Sequence, residues 1–136
     1  MTKKFLTVLV TLALLISFTN VAIAENVPNQ INADPVFFSI TITLTTSKSA
    51  LFSAYTYDIM DSISVASCWL QKKVNNSWTY VRSLPAPPDV ITNTIGYGAS
   101  MDYSSYIPSD GNTYRIAARF VADGHHATRY SNERSF

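Results

Sequence analysis

From residue 25 onward, no stretch of the chain sustains apolar residues at i, i+3, i+4 and i+7; what recurs instead is alternation with a period of two. The alternating runs are rich in Thr, Ser, Tyr, Val and Ile, residues that suit a pleated, half-buried surface. Val36, Phe38, Ile40, Ile42 and Leu44 alternate with Phe37, Ser39, Thr41 and Thr43 in the clearest of these runs. A turn at 46–49 leads to a second run, Ala50 to Tyr57. Polar residues 58–62 predict another turn, and Ile63, Val65, Ser67 and Trp69 open a third run. Residues 84–90 carry three prolines and cannot be an interior strand, because proline has no ladder donor. A weaker strand follows over Thr92 to Met101, with Gly96 and Gly98 hinting at a bulge. Tyr114, Ile116, Ala118 and Phe120 alternate with Arg115, Ala117 and Arg119, and a last strand is predicted from about Thr128 to Arg134. About seven short strands at 8–12-residue spacing predict an all-β chain, a single antiparallel β-sandwich over 36–136.

The first 24 residues read differently. Lys3 and Lys4 precede a nearly unbroken apolar run from Phe5 to Phe18, and Ala22-Ile23-Ala24 then supplies a small-x-small pattern before Glu25. This is the pattern of a secretory signal peptide, with cleavage predicted after Ala24 and a short linker over 25–35. The apolar run is shorter than the ~20 residues a spanning helix needs, so a membrane anchor is disfavoured. Cleavage would leave 112 residues with eight basic and nine acidic side chains, and no later segment long and apolar enough to span a membrane. The reading is a protein released outside the cell. Cys68, alone in an exported chain, is read as a small buried residue, with pairing between chains as the alternative.

Two hairpins permit register arguments. Asn75-Asn76 suits a two-residue type I′ turn, since asparagine tolerates positive φ. That turn sets Lys73 opposite Trp78, Gln71 opposite Tyr80 and Trp69 opposite Arg82. Trp69, Gln71, Lys73, Trp78, Tyr80 and Arg82 would then share one face. Either Trp69 and Tyr80 pack inward, continuing Ile63 and Val65, or the face is exposed and its aromatics, with Arg82, bind a ligand. At the second hairpin a two-residue Asp123-Gly124 loop would put Arg129 opposite Ala118, on the apolar face, where an unpaired charge is expensive. A three-residue loop, 123–125, avoids this and sets Ala118 against Tyr130 and Phe120 against Thr128. It also pairs Arg115 with Glu133 and brings Arg119 opposite Arg129, a like-charge pair that could receive an anionic group.

The segment Gly111-Asn112-Thr113-Tyr114-Arg115-Ile116-Ala117-Ala118-Arg119-Phe120, followed by Gly124, Ser131 and Phe136, resembles the last two strands of a fibronectin type III domain. The resemblance implies an immunoglobulin-like sandwich in which Tyr114 folds back onto the preceding corner. The second strand of that family carries a tryptophan that Ala50–Tyr57 lacks. The whole chain also resembles small exported β-sandwich proteins of Gram-positive bacteria, a likeness that carries no activity with it.

Composition excludes several function classes. A formal net charge of +1 gives no basic footprint for nucleic acid. A single cysteine excludes an internal disulfide and a cysteine-based zinc site. His125 and His126, with Asp123, match no established metal-ligand spacing, and Asp110-Gly111-Asn112 lacks the further carboxylates of a calcium loop. There is no G-x-S-x-G elbow, no phosphate-cradling glycine loop, and only Glu25 and Glu133 besides scattered aspartates. Asn75-Asn76-Ser77 is a glycosylation sequon that matters only in a eukaryotic secretory route. The expectation is a non-enzymatic module without cofactor that binds or adheres to an extracellular glycan, cell wall or protein. Candidate ligand residues are Trp78, Tyr80, Arg82, Arg119 and Arg129. A small secreted effector or antimicrobial protein is the other reading, although no cationic amphipathic helix is present for direct lysis.

Overall fold

The computed structural model describes residues 35–136; the segment expected to be a signal peptide, with the expected cleavage residues Ala22, Ala24 and Glu25, and nearly all of the expected linker over 25–35 lie outside the described residues. The described chain is all-β, with seven antiparallel strands: β1 (Phe37–Leu44), β2 (Ser49–Val74), β3 (Ser77–Leu84), β4 (Val90–Asp102), β5 (Thr113–Ala122), β6 (His125–Tyr130) and β7 (Arg134–Ser135). They belong to one connected sheet.

β2 is the spine. The turn expected over 58–62 does not reverse the chain, and the two runs on either side of it form one strand of 26 residues. Along one edge β2 pairs first with β1, from Ala50 to Thr56, and then with β5, from Ile63 to Lys72. Along the other it pairs with β4, from Ser49 to Ser64, and then with β3, from Cys68 to Val74. The sheet curls so that its two halves face each other. Phe52 from the first half and Phe120 from β5 stand 6.4 Å apart, and Tyr97 and Tyr103 meet these rings edge-on at 6.2 and 6.5 Å. Such tilted and T-shaped pairs are the favoured aromatic geometry. Asn132 closes the open side: its side chain accepts from Leu44 N–H at 2.8 Å and donates to Leu44 C=O at 3.0 Å.

Bulges decide which residues face the core. In β2 the buried residues are Ala50, Phe52, Ala54, Thr56 and Met60, then Ile63 and Val65, then Cys68 and Leu70. The set changes parity twice. Residues 56–59 oppose a single residue of β4, Ile95, and Ala66 is the extra residue between Val65 and Ser67. The second shift sends Trp69 outward, so it does not continue the face of Ile63 and Val65. A third bulge, at Phe38, makes Phe37 the buried neighbour and Phe38 the exposed one.

Both hairpin turns have two-residue loops. Asn75 and Asn76 have φ of 49° and 63°, the type I′ geometry expected of them, and Lys73 faces Trp78 and Gln71 faces Tyr80. Beyond Tyr80 the register departs from expectation. Val81 is an extra residue, so Arg82 faces Leu70 and Ser83 faces Trp69. This shift turns Leu84 inward, opposite Cys68, where it is buried. At the second hairpin the three-residue loop is overturned. Asp123 (φ 46°) and Gly124 (φ 83°) make the loop, Ala122 faces His125, and Ala118 faces Arg129. Arg129 escapes the cost of burial because β6 is an outer strand; its side chain is only half-buried and its Nη1 donates to Thr128 C=O at 2.9 Å.

Asp123 also ties this turn to β2. Its carboxylate accepts from Asp61 N–H at 2.9 Å and Ser62 N–H at 2.8 Å, and these bonds hold its carboxyl below the usual aspartate range. The ionised form is the one the fold stabilises. Its contribution is therefore complete above the unfolded value of about 3.9 and is lost as pH falls through the lower folded value. Asp123→Asn, which tolerates the same left-handed backbone, should lower the melting temperature at pH 7. The gap from wild type should narrow in melts taken below about pH 4; an equal gap at pH 2 and pH 7 would contradict it.

Cys68 is buried, which removes the alternative of pairing between chains. Burial pushes its thiol up to about 11, with the Tyr103 hydroxyl beside it drawing the value partly back. A thiol-specific reagent at pH 8 should leave the folded protein unmodified and label one thiol per chain after denaturation.

Candidate functional site

The expected aromatic face on the β2–β3 hairpin exists, but its composition differs from expectation. Cross-strand partners share a face, so Gln71, Lys73, Trp78, Tyr80 and Arg115 project together from the outer side of the sheet. Arg115 is the centre of the group. Its guanidinium lies 3.9 Å from the Tyr130 ring centroid and 4.2 Å from that of Trp78, and its Nε donates to Gln71 Oε1 at 2.7 Å. Lys73 stands over the same Trp78 ring at 5.6 Å and pairs with Glu133 at 3.0 Å. The expected Arg115–Glu133 pair is thus replaced: the acid takes Lys73 and the arginine takes aromatic faces. Partial burial lowers the pKa of Arg115, while the nearby Tyr130 and Glu133 raise it.

The remaining candidates do not assemble. The Val81 bulge puts Arg82 on the side of Leu70, away from Trp78 and Tyr80. Arg119 faces Thr128 whereas Arg129 faces Ala118, so the two arginines lie on opposite faces and form no anion clamp. Tyr80 is exposed, and its hydroxyl lies 3.1 Å from Ser83 Oγ. Among the described residues no three His, Cys, Asp or Glu side chains approach closely enough to hold a metal ion.

A second surface is one that the sequence pattern does not announce. On the outer face of the β1–β2–β4 half, the registers align three rows of neighbours: Ser39–Tyr55–Gly96, Thr41–Ser53–Gly98 and Thr43–Leu51–Ser100. No charged side chain occurs in these rows, and all of the residues are exposed or half-exposed. At the end of the first row, Phe38 lies 5.9 Å from Tyr55 and 5.5 Å from Tyr57. The three rings are 55%, 46% and 70% exposed for Phe38, Tyr55 and Tyr57. Two bulges put them there. The one at Phe38 swings that ring outward, and the one over 56–59 takes Tyr57 out of the β4 register, its N–H bonded to Val36 C=O at 3.2 Å, while Thr56 Oγ1, turned inward, bonds Asp58 C=O at 2.8 Å.

Gly96 sets the position of the middle ring. A Cβ there would stand 3.1 Å from Tyr55 Cε1, so the tyrosine ring lies against the bare backbone, while Gly98 has open space above it. The alternation of residues 51–57 and the glycine pair were visible in the sequence. The outward turn of Phe38 was not, because it depends on a bulge that no residue pattern announces.

Inside the core, the Tyr103 hydroxyl donates to Pro85 C=O at 2.7 Å and Tyr114 donates to Asp110 Oδ2 at 2.8 Å. The buried Tyr97 hydroxyl has no hydrogen-bond partner among the described residues, and burial, followed by Asp89 and Cys68, pushes it up to about 12.

The Trp78–Arg115–Tyr130 stack should contribute to stability. Arg115→Ala and Trp78→Ala should each lower the midpoint of urea unfolding, and a double-mutant cycle should return about 0.5–1 kcal/mol of coupling. Additive losses would mean that the ring and the guanidinium merely lie near each other. No family model, curated protein or solved structure matches this chain.

Proposed function

We propose that this protein is a secreted, non-enzymatic binding module whose ligand is an uncharged extracellular polysaccharide, held on the outer face of β1, β2 and β4. The observation that carries the reading is the pairing of an exposed three-ring cluster with an uncharged surface of hydroxyls and bare glycine backbone. Sugars present C–H faces to aromatic rings and hydroxyls to small polar side chains, and a neutral glycan laid on this surface buries no unpaired charge. Tyr55 and Tyr57 join apolar area to a polar tip. An exposed aromatic cluster of this kind is unusual on a monomer's surface unless something covers it. The ligand therefore belongs on Phe38, Tyr55 and Tyr57 rather than on Trp78 and Tyr80. The signal-peptide pattern supports export.

Depletion from solution by insoluble neutral polysaccharides and isolated cell walls tests the proposal. Wild type and Trp78→Ala should both be retained. Tyr55→Ala and Tyr57→Ala should bind about tenfold more weakly, the scale of one lost aromatic contact. Gly96→Val, which keeps every ring but displaces Tyr55, should also weaken retention. Failure of wild type to bind any of these materials, or equal retention of Tyr57→Ala, would overturn it.

A further inference from the structure

Apart from its polysaccharide surface, the molecule has an edge built for pairing. We propose that the outer edge of β3 pairs antiparallel with β3 of a second copy of this chain, joining two sheets into one across a two-fold axis.

β3 is bonded to β2 along one edge, and no described strand occupies the other. Every residue from Ser77 to Ser83 is exposed or half-exposed, and only Leu84 is buried. Unpaired edges are normally guarded by lysine, proline or an interrupting bulge. Residues 77–80 carry none of these, and the Val81 bulge and the sole charge, Arg82, come only after them. The free edge of β4 is different, being broken by Asn93 in the left-handed conformation at φ 51°.

The hairpin geometry says which groups are on offer. With a two-residue type I′ loop, Val74 and Ser77 exchange both backbone bonds, so the pairs Lys73–Trp78 and Gln71–Tyr80 are the non-hydrogen-bonded ones. Trp78 and Tyr80 therefore turn their own N–H and C=O groups outward. An antiparallel second copy satisfies all of them when Trp78 of each chain lies opposite Tyr80 of the other and the two Thr79 residues meet at the axis.

Side chains agree with this register. It creates two Trp–Tyr cross-strand pairs, among the more favourable kinds, and a Thr–Thr pair on the opposite face. Arg82 falls opposite Asn76, so no like charges meet. Arg115 and Lys73 already hold the Trp78 ring from the β2 side, which limits the ordering left for association to impose. Each copy uses one edge once, so the pairing closes at two.

Sedimentation of the purified protein from about 1 µM to about 1 mM, the range in which small interfaces dissociate, reads the association directly. Wild type should show a reversible monomer–dimer equilibrium. Tyr80→Pro removes an N–H that β2 does not use, so it should be monomeric with an unchanged strand signal by circular dichroism. Thr79→Lys and Thr79→Glu should each be monomeric, since they place like charges face to face, and mixing them in equal amounts should restore the dimer. A wild type that remains monomeric at the highest concentration would overturn the proposal. So would Lys and Glu variants that associate like wild type, or a mixture no more associated than its parts.

Discussion

Everything in this fold hangs on the backbone ladder of one strand. β2 lends its two edges to β1, β5, β4 and β3 in succession, so its residues set the register of nearly every other element. A straight strand of that length would present one fixed set of side chains to one face, because side chains alternate strictly. The sheet curls instead, and a curled sheet needs places where the alternation resets. The interruptions at 56–59 and at Ala66 supply them, moving the inner set from Thr56 to Ile63 and from Val65 to Cys68. Bulges bend and twist a strand as well as shifting its register, so the same devices that close the core also shape the outer surface.

This is why so much of the strand content was legible in the sequence and so little of the facing. Alternation is a local property, and it located β1, β5 and most of the turns. The Asn75-Asn76 turn was readable because its two left-handed residues need asparagine or glycine. The bulges are not local: Val81 becomes an extra residue because Leu84 gains burial over Cys68, a benefit decided several residues away. One such shift moved Arg82 off the face that Trp78 and Tyr80 share. The second hairpin failed for another reason. A charge opposite Ala118 looked prohibitive on the assumption that the apolar face is sealed, but an outer strand lets a long side chain carry its charge past the rim. The charge therefore costs little at this position, and the left-handed preference of Asp123-Gly124 sets the two-residue loop.

The two outer surfaces divide along chemical lines. On the β5 side, strand β2 contributes Gln71 and Lys73, and the neighbouring strands bring Arg115, Trp78, Tyr130 and, after β6, Glu133, a set in which each charge has a partner. On the β1 side the same strand contributes Leu51, Ser53 and Tyr55, with hydroxyls and glycines beside them. Both surfaces contain exposed aromatics, and counting aromatics in the sequence favours the first, which holds the tryptophans.

The relevant quantity is the ring face left over after the protein has used its own. An aromatic face attracts a cation or a C–H donor through the same quadrupole, and it can serve one partner at a time. Tyr130 and Trp78 have given a face each to Arg115, and Lys73 stands over Trp78 as well. A ligand seeking those faces would have to displace a guanidinium that also bonds Gln71, losing one favourable contact for each it gained. Phe38 tilts against Tyr55 and Tyr57 at 34° and 48°, and Tyr55 rests on Gly96, yet all three side chains keep surface turned toward solvent. With no cation to displace, a sugar ring arriving there forfeits only water. The choice of surface in the proposed function thus follows from which rings are unspent, a property that depends on the fold as a whole rather than on the residue types in any one strand.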